Sequence, residues 1–124
     1  MSWHSATRRT EVKPPVPAER HVLKATMDFL ALRGFRVWRQ NVGMMILEHK
    51  GIRRAVRAGI KGQADITGYH KGTGRRLEVE VKREGKEPSQ VQAQWLQQCA
   101  EEGVIAFWCD SVPGCDAELR RYGY

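Results

Sequence analysis

Apolar residues recur along the chain at two periods, and these periods predict where its helices and strands lie. Over residues 18–33 the apolar positions follow the spacing of one helix face, and Gly34 comes next as a C-terminal cap. A second helix is predicted from Ser89, because Gln92 stands three residues later, as in a capping box. The chain therefore has at least two amphipathic helices, one near its start and one near residue 90.

Five further segments have the residue types and alternation of strands. They are residues 35–40, 44–49, 65–69, 76–82 and 104–109. The last segment is almost continuously apolar, which predicts a strand buried on both faces of a sheet. With the strand and helix before it, this segment predicts a parallel crossover. The remaining features are a turn at 41–43, a glycine-punctuated basic connection at 51–62 and a final helical turn at 116–121. This order of elements predicts one α/β layer domain.

Length and composition narrow the class of protein. The 124 residues suit a flexible basic arm at 1–16 and a single domain at 17–124. No apolar run is long enough to cross a membrane, and residues 1–15 lack the apolar core of a secretory signal. The three cysteines lack metal-site spacing and indicate a reducing, cytoplasmic environment. The four histidines include no His-x-x-x-His pair, which argues against zinc chemistry.

Positive charge is in excess and clustered. The 21 lysines and arginines outnumber 14 aspartates and glutamates, giving a net charge of +7 that favours polyanionic partners. The basic residues that we expect to contact DNA are Arg53, Arg54, Arg57, Lys61, Arg83 and Lys86. The alternative for each of them is an ordinary solvated surface residue.

The segment LEVEVK at 77–82 has the strongest chemical content. Its apolar residues alternate with Glu78, Glu80 and Lys82, so a strand would bury the first set and point the charged set towards one place. Asp65 stands fifteen residues before Glu80. An Asp followed by a strand with Glu-x-Lys is an arrangement that metal-dependent nucleases use. The alternative is an amphipathic strand whose exposed charges only keep a sheet soluble.

Phosphodiester hydrolysis explains why those residue types would be needed together. Enzymes must lower its barrier by roughly 8 to 23 kcal/mol or more, and acid or base help alone supplies only about 10²- to 10⁴-fold. A divalent cation closes the gap, and Mg²⁺ prefers one or two carboxylates with water and substrate oxygens. Asp65 and Glu80 are the candidate ligands. Lys82 would orient or deprotonate the attacking water, or hold the phosphate.

Several motifs in order resemble the VRR-NUC nuclease domain, of the PD-(D/E)XK superfamily. They are the early helix with Glu19, then WRQNVG at 38–43, GQAD at 62–65, LEVEVK at 77–82 and SQVQAQWLQ at 89–97. The resemblance covers roughly 17–110 and implies a restriction-endonuclease-like fold, a central mixed sheet flanked by helices. One departure is Ala64, where the family usually has proline before the aspartate.

The resemblance implies roles for individual residues. Asp65, Glu80 and the backbone carbonyl of Val81 become ligands of Mg²⁺ or Mn²⁺, and Lys82 becomes the catalytic lysine. Glu19 becomes a helix-borne acid that approaches the metal, and Gln92 the glutamine of the helix after the catalytic strand.

Some of these residues have simpler alternatives. Glu19 suits the first turn of a helix in any protein, and Gln92 suits a capping box. Glu78 shares the face of Glu80 and is the first candidate for residual metal binding if Glu80 is replaced.

The resemblance also implies a function. Short stand-alone members are typical of phage and prophage genes and resemble junction-resolving enzymes, which predicts a metal-dependent endonuclease for branched DNA. A junction has two equivalent strands, so a two-fold homodimer is expected. Met44, Met45 and Ile46 could serve its interface or an ordinary core. The alternatives are a non-catalytic nucleic-acid-binding module with this fold and, less favoured, a restriction-like or RNA-directed nuclease.

Overall fold

The computed structural model describes residues 16–40 and 43–124, without the side chains of 43–45, 57 and 58. Almost all of the expected N-terminal arm, the turn at 41–42 and the side chains of Met44, Met45 and Arg57 therefore lie outside the described residues. Within the described ranges the chain forms three helices and six strands. In chain order they are α1 (Glu19–Leu32), β1 (Phe35–Arg39), β2 (Gly43–His49), β3 (Ile52–Ala58), β4 (Ile66–His70), β5 (Arg76–Val81), α2 (Gln90–Glu101), β6 (Ile105–Cys109) and α3 (Val112–Arg121).

Four of these strands form a mixed sheet in the order β1-β4-β5-β6. β4 runs antiparallel to both β1 and β5, whereas β5 and β6 are parallel. The connection from β5 to β6 passes through α2, so the predicted parallel crossover is confirmed. The mixed sheet with its helices confirms an α/β domain.

The helices cover both faces of this sheet. Leu30 of α1 and Leu119 of α3 belong to one buried cluster with Leu77 and Val79 of β5. On the other face, Leu96 and Cys99 of α2 pack with Ala64 and Ala106 in a smaller cluster. Successive residues of a strand point to opposite faces, so the even-numbered residues of β5 lie beneath α2.

The strand β3 and its hairpin were missed in the sequence. The residues interpreted as a basic connection include β3, which pairs antiparallel with β2 in a separate two-stranded sheet. Lys50 and Gly51 form a two-residue turn with φ of 51° and 76°, the geometry that suits the twist of a tight hairpin. The side chains of 46–55 are exposed. Over residues 46–55 no buried face produces a clear alternating pattern, which explains why the sequence did not predict β3.

Two other expectations were wrong in part. The final helical turn is a full helix, α3, and it starts at Val112 because the Ser111 hydroxyl caps it by accepting a hydrogen bond from the Gly114 N–H at 3.1 Å. Pro113 lies in the first turn, where proline is tolerated. β6 is not buried on both faces throughout, because it forms an edge of the sheet and Trp108 is 37% exposed.

None of the helices in the described part of the chain is long and apolar enough to cross a bilayer.

The sheet face beneath α1 and α3 carries most of the apolar burial, and a matched pair of leucines tests this. Leu30 is fully buried, whereas Leu32 on the same helix is 87% exposed. We expect Leu30→Ala to lower the free energy of unfolding by about 2–5 kcal/mol, because it leaves a cavity in the core. Leu32→Ala should change it by less than about 0.5 kcal/mol. Urea unfolding measures both, and equal losses would contradict this packing.

Candidate functional site

The two glutamates of β5 are buried rather than solvated. Glu78 is 0% and Glu80 1% exposed, because β5 has a strand on each side and α2 lies over this face. The structure therefore rules out the alternative of a soluble, exposed strand face. A buried carboxyl group is costly unless hydrogen bonds or opposite charges compensate for the lost water. The two glutamates are compensated in different ways.

Two hydrogen bonds join Asp65 to the end of β5, one with Glu80 and one with the next residue, Val81. The Asp65 N–H donates to Glu80 Oε1 at 3.0 Å, and the Val81 N–H donates to Asp65 Oδ2, also at 3.0 Å. Asp65 immediately precedes β4, whose first residue, Ile66, pairs with Val79 of β5. The sheet register thus brings together the two carboxylates that the sequence predicted as a pair.

The second carboxylate oxygen of Glu80 has an incomplete environment. Glu80 Oε2 is buried and has no hydrogen-bond partner within the described part of the chain. The Lys82 ammonium lies 3.2 Å from it as an ion pair, with 16% of the lysine side chain exposed. Lys82 therefore joins Asp65 and Glu80, as expected, and it links this group to solvent.

Burial dominates the electrostatics of Glu80. The pKa of this carboxyl group is raised from 4.5 to about 7, mainly by burial and also by the charge and hydrogen bonding of Asp65. The Lys82 ammonium acts in the opposite direction but is outweighed. Glu80 thus changes protonation near neutral pH, beside a lysine that is partly exposed.

Glu78, two residues earlier, has a complete set of partners. Its Oε1 accepts from the Trp95 indole N–H at 3.2 Å, and the Gln40 side-chain amide lies 3.2 Å from Oε2 and 3.4 Å from Oε1. The Arg76 guanidinium lies 3.6 Å from Oε1. Sequence reasoning assigned no site role to Gln40 or Trp95. The signal for Gln40 was its place in the WRQNVG segment, and Trp95 gave only the signal of a core residue.

The loop before Asp65 is held close to the start of α2. Gly62 has a φ of +85°, and a Cβ at this position would lie 2.5 Å from Val91 Cγ1 and 2.8 Å from the Val91 carbonyl oxygen. A side chain here would meet both strain and a clash. Gly62 therefore allows the loop that carries Asp65 to approach the helix covering the site.

The structure does not gather Glu19 and Gln92 with the carboxylate pair. Gln92 completes a capping box, accepting from the Ser89 N–H at 2.9 Å and donating its own N–H to Ser89 Oγ at 3.2 Å. Glu19 is an exposed first residue of α1. Among the described residues no group of three or more His, Cys, Asp or Glu side chains is placed to hold a metal ion. The acidic centre consists of Asp65 and Glu80.

Basic residues lie on both sides of this centre along the chain. Lys61 precedes Asp65 in its loop, and Arg83 and Lys86 follow Lys82, all three with exposed side chains. Arg53 and Arg54 are exposed on the β2–β3 hairpin.

Comparison with known proteins adds no assignment, because no protein-family model matches the chain and no curated protein matches it significantly.

The raised pKa of Glu80 makes a prediction about stability. Between pH 4.5 and about 7 the folded protein holds a proton that the unfolded chain has released, so the free energy of unfolding should fall as pH rises through this window. Glu80→Gln cannot ionise, so it should remove this loss, on the order of 3 kcal/mol at about 1.4 kcal/mol per pKa unit. Chemical unfolding at pH 5, 6, 7 and 8 measures it.

The control for this experiment is Glu84→Gln, an exposed glutamate in the loop after β5. Its pH profile should follow that of the parent protein. If Glu80→Gln also followed the parent profile, Glu80 would not titrate in this window.

Proposed function

We propose that this protein is a Mg²⁺- or Mn²⁺-dependent endonuclease that hydrolyses phosphodiester bonds in DNA, with a PD-(D/E)XK type of site. The observation that supports this most is the contact of Asp65 with Glu80, beside Lys82, at the end of a central strand. Sequence spacing alone suggested this trio, and the fold brings the three side chains together. The resemblance to the VRR-NUC domain supports the same conclusion from the order of motifs.

The residues present fit a hard divalent cation. Asp65 and Glu80 offer carboxylate oxygens, the ligands that Mg²⁺ prefers, and two protein carboxylates suffice because this ion keeps several waters. Glu80 Oε2 is a buried oxygen that lacks a hydrogen bond among the described residues. The Lys82 ammonium, 3.2 Å away, compensates this atom in part, and a divalent cation would supply the rest. The Val81 carbonyl is the proposed additional ligand.

Bound at this position, the cation would lower the pKa of a coordinated water and neutralise negative charge on the phosphate. The chain's own groups have separate tasks. Asp65 and Glu80 must be ionised to hold the cation, so Glu80 has to release a proton near pH 7. Lys82 is partly exposed and carries a charge that can hold a phosphate oxygen or orient the attacking water.

The substrate and assembly follow from the resemblance. We propose branched DNA, such as a four-way junction, and a homodimer that places one site on each of two equivalent strands. The excess of basic residues, +7 in net charge, supports a polyanionic substrate. The setting proposed with it is the cytoplasm of a bacterial host of a phage or prophage.

Replacing Lys82 tests whether cleavage can be lost while DNA binding is kept. We expect Lys82→Ala to reduce metal-dependent cleavage of a labelled four-way junction by at least about 10²-fold, because it removes a charge from the reacting centre. Asp65→Asn should do the same by removing a ligand. Both variants should still bind the junction in Ca²⁺, as measured by fluorescence anisotropy. The matched control is Lys71→Ala, an exposed lysine in the β4–β5 turn, which should cleave normally.

The outcomes distinguish the proposal from its rival. Symmetric paired incisions with Mg²⁺ or Mn²⁺, lost with EDTA and in both variants, would support a resolving nuclease. A parent protein that binds DNA but cleaves no fork, junction or duplex would instead indicate a non-catalytic binding module. The binding module remains the alternative because only two acids cluster among the described residues.

The hairpin arginines test where DNA is contacted. A protein that neutralises a phosphate loses affinity with salt at a slope of about 0.9 per contact. We expect Arg53→Ala and Arg54→Ala each to reduce the salt slope of junction binding by about 1. Arg121→Ala, on α3 and paired with Glu118 at 3.2 Å, is the matched control and should leave the slope unchanged. Unchanged slopes for both hairpin variants would remove the hairpin from the DNA interface.

A further inference from the structure

Gln40 connects three parts of the chain through one residue. It follows the last residue of β1, and its backbone N–H donates to the Asp65 carbonyl at 2.7 Å. Its side-chain amide nitrogen donates to the Ala64 carbonyl at 2.9 Å and lies 3.2 Å from Glu78 Oε2. A primary amide has two N–H groups, so both are used by these contacts. Gln40 therefore holds the main chain of Ala64 and Asp65 and ties both to β5.

Glu78 serves as the fixed point of this connection. It is fully buried, and its partners come from the end of β1, from α2 and from β5. An apolar side chain would fill this position at lower cost, because a buried charge-bearing group contributes little net stability. Glu78 instead orients its partners. Its oxygens accept hydrogen bonds from Gln40 and Trp95 and thereby set where the Gln40 amide lies.

The same contacts separate Glu78 from Glu80. Both Glu78 oxygens face N–H donors, whereas Glu80 Oε2 has no hydrogen-bond partner within the described residues. Glu78 is thus committed to several N–H donors, whereas the contact that Glu80 Oε2 makes is the ion pair with the Lys82 ammonium at 3.2 Å. Two glutamates on one strand face therefore differ in role because their neighbours differ. Glu78, the expected substitute ligand if Glu80 is replaced, is the less suited of the two.

We propose that Gln40, held by Glu78, is a positioning residue that fixes the main chain of Asp65 so that its carboxylate stays beside Glu80. Neither Gln40 nor Glu78 needs to touch a substrate for this. The inference rests on the proposed function only for the identity of the ligand that Asp65 binds. The positioning itself concerns the protein alone and is measurable without metal or DNA.

Hydrogen exchange measured by NMR tests the positioning directly. Gln40→Met keeps the length of the side chain and removes both N–H donors. We expect the exchange rates of the Asp65 and Val81 amides, the two donors between the loop and β5, to rise at least tenfold. A general loss of stability would also speed exchange at Val79 and Phe107 in the sheet, which we expect to stay within about twofold. The matched control is Gln97→Met on the exposed face of α2.

A second variant keeps the test decisive if Gln40→Met fails to fold. Glu78→Gln places an amide opposite the Gln40 and Trp95 donors and should raise exchange at the same two amides. Where both variants fold, the double variant should exchange no faster than the more affected single one, because both act through one contact. Unchanged exchange at Asp65 and Val81 in a folded variant, or additive effects in the double variant, would overturn the proposal.

Metal affinity links the positioning to the proposed function. The Kd for Mn²⁺, measured by electron paramagnetic resonance, should rise about tenfold in Gln40→Met, as for other groups that orient a ligand. An unchanged Kd would overturn the role towards a cation. If the parent protein bound no Mn²⁺, the proposed function would fail, and hydrogen exchange would still decide whether Gln40 positions Asp65.

Discussion

The burial of two carboxyl groups on one face of β5 is the constraint on which the rest of the site depends. Glu78 and Glu80 lie beneath α2 in the middle of the sheet, where water cannot compensate them. Each therefore requires partners that arrive from distant parts of the chain. Gln40, Asp65 and Trp95 are those partners, and they come from the end of β1, the loop before β4 and the covering helix. The positions of these three elements are coupled through the two glutamates.

The two faces of the sheet differ in the kind of contacts that they hold. The face beneath α1 and α3 is apolar, with Leu30, Leu77 and Leu119 fully buried in one cluster. The opposite face holds a much smaller apolar cluster and nearly all of the polar contacts described for the site. Because a strand alternates its side chains, β5 contributes to both faces without conflict. A polar group can therefore be tuned beneath α2 while the main core remains intact.

How well each feature could be predicted from the sequence depends on how far apart in the chain its interacting residues lie. Helix α2 and its Ser89–Gln92 cap were predicted because a capping box is a local pattern. Asp65, Glu80 and Lys82 were predicted because a strand period and one spacing sufficed. Strand β3 was not, because it pairs with β2 in a hairpin whose residues 46–55 are exposed and show no buried face.

The anchoring of Asp65 by Gln40 was beyond the sequence for a different reason. β1 pairs with β4 rather than with the next strand, β2, so the end of β1 meets the Asp65 loop only after the sheet order is known. The burial of Glu78 was missed likewise, since a strand pattern does not show whether a helix will cover its polar face. Both depend on contacts between residues far apart in the chain.

The difference between the hydrogen-bond partners of Glu78 and those of Glu80 is the strongest physical reason to regard this site as more than structural. A protein selected for stability alone would satisfy Glu80 as completely as Glu78, or replace it with an apolar residue. Instead Glu80 keeps a buried oxygen without a hydrogen bond among the described residues, and burial makes its ionised form costly, which is why its pKa is raised to about 7. The cost is recovered if a ligand binds the ionised form, because such a ligand stabilises the folded state in proportion to its affinity. Lys82 only partly compensates that charge, and the remaining cost is what the proposed cation would offset.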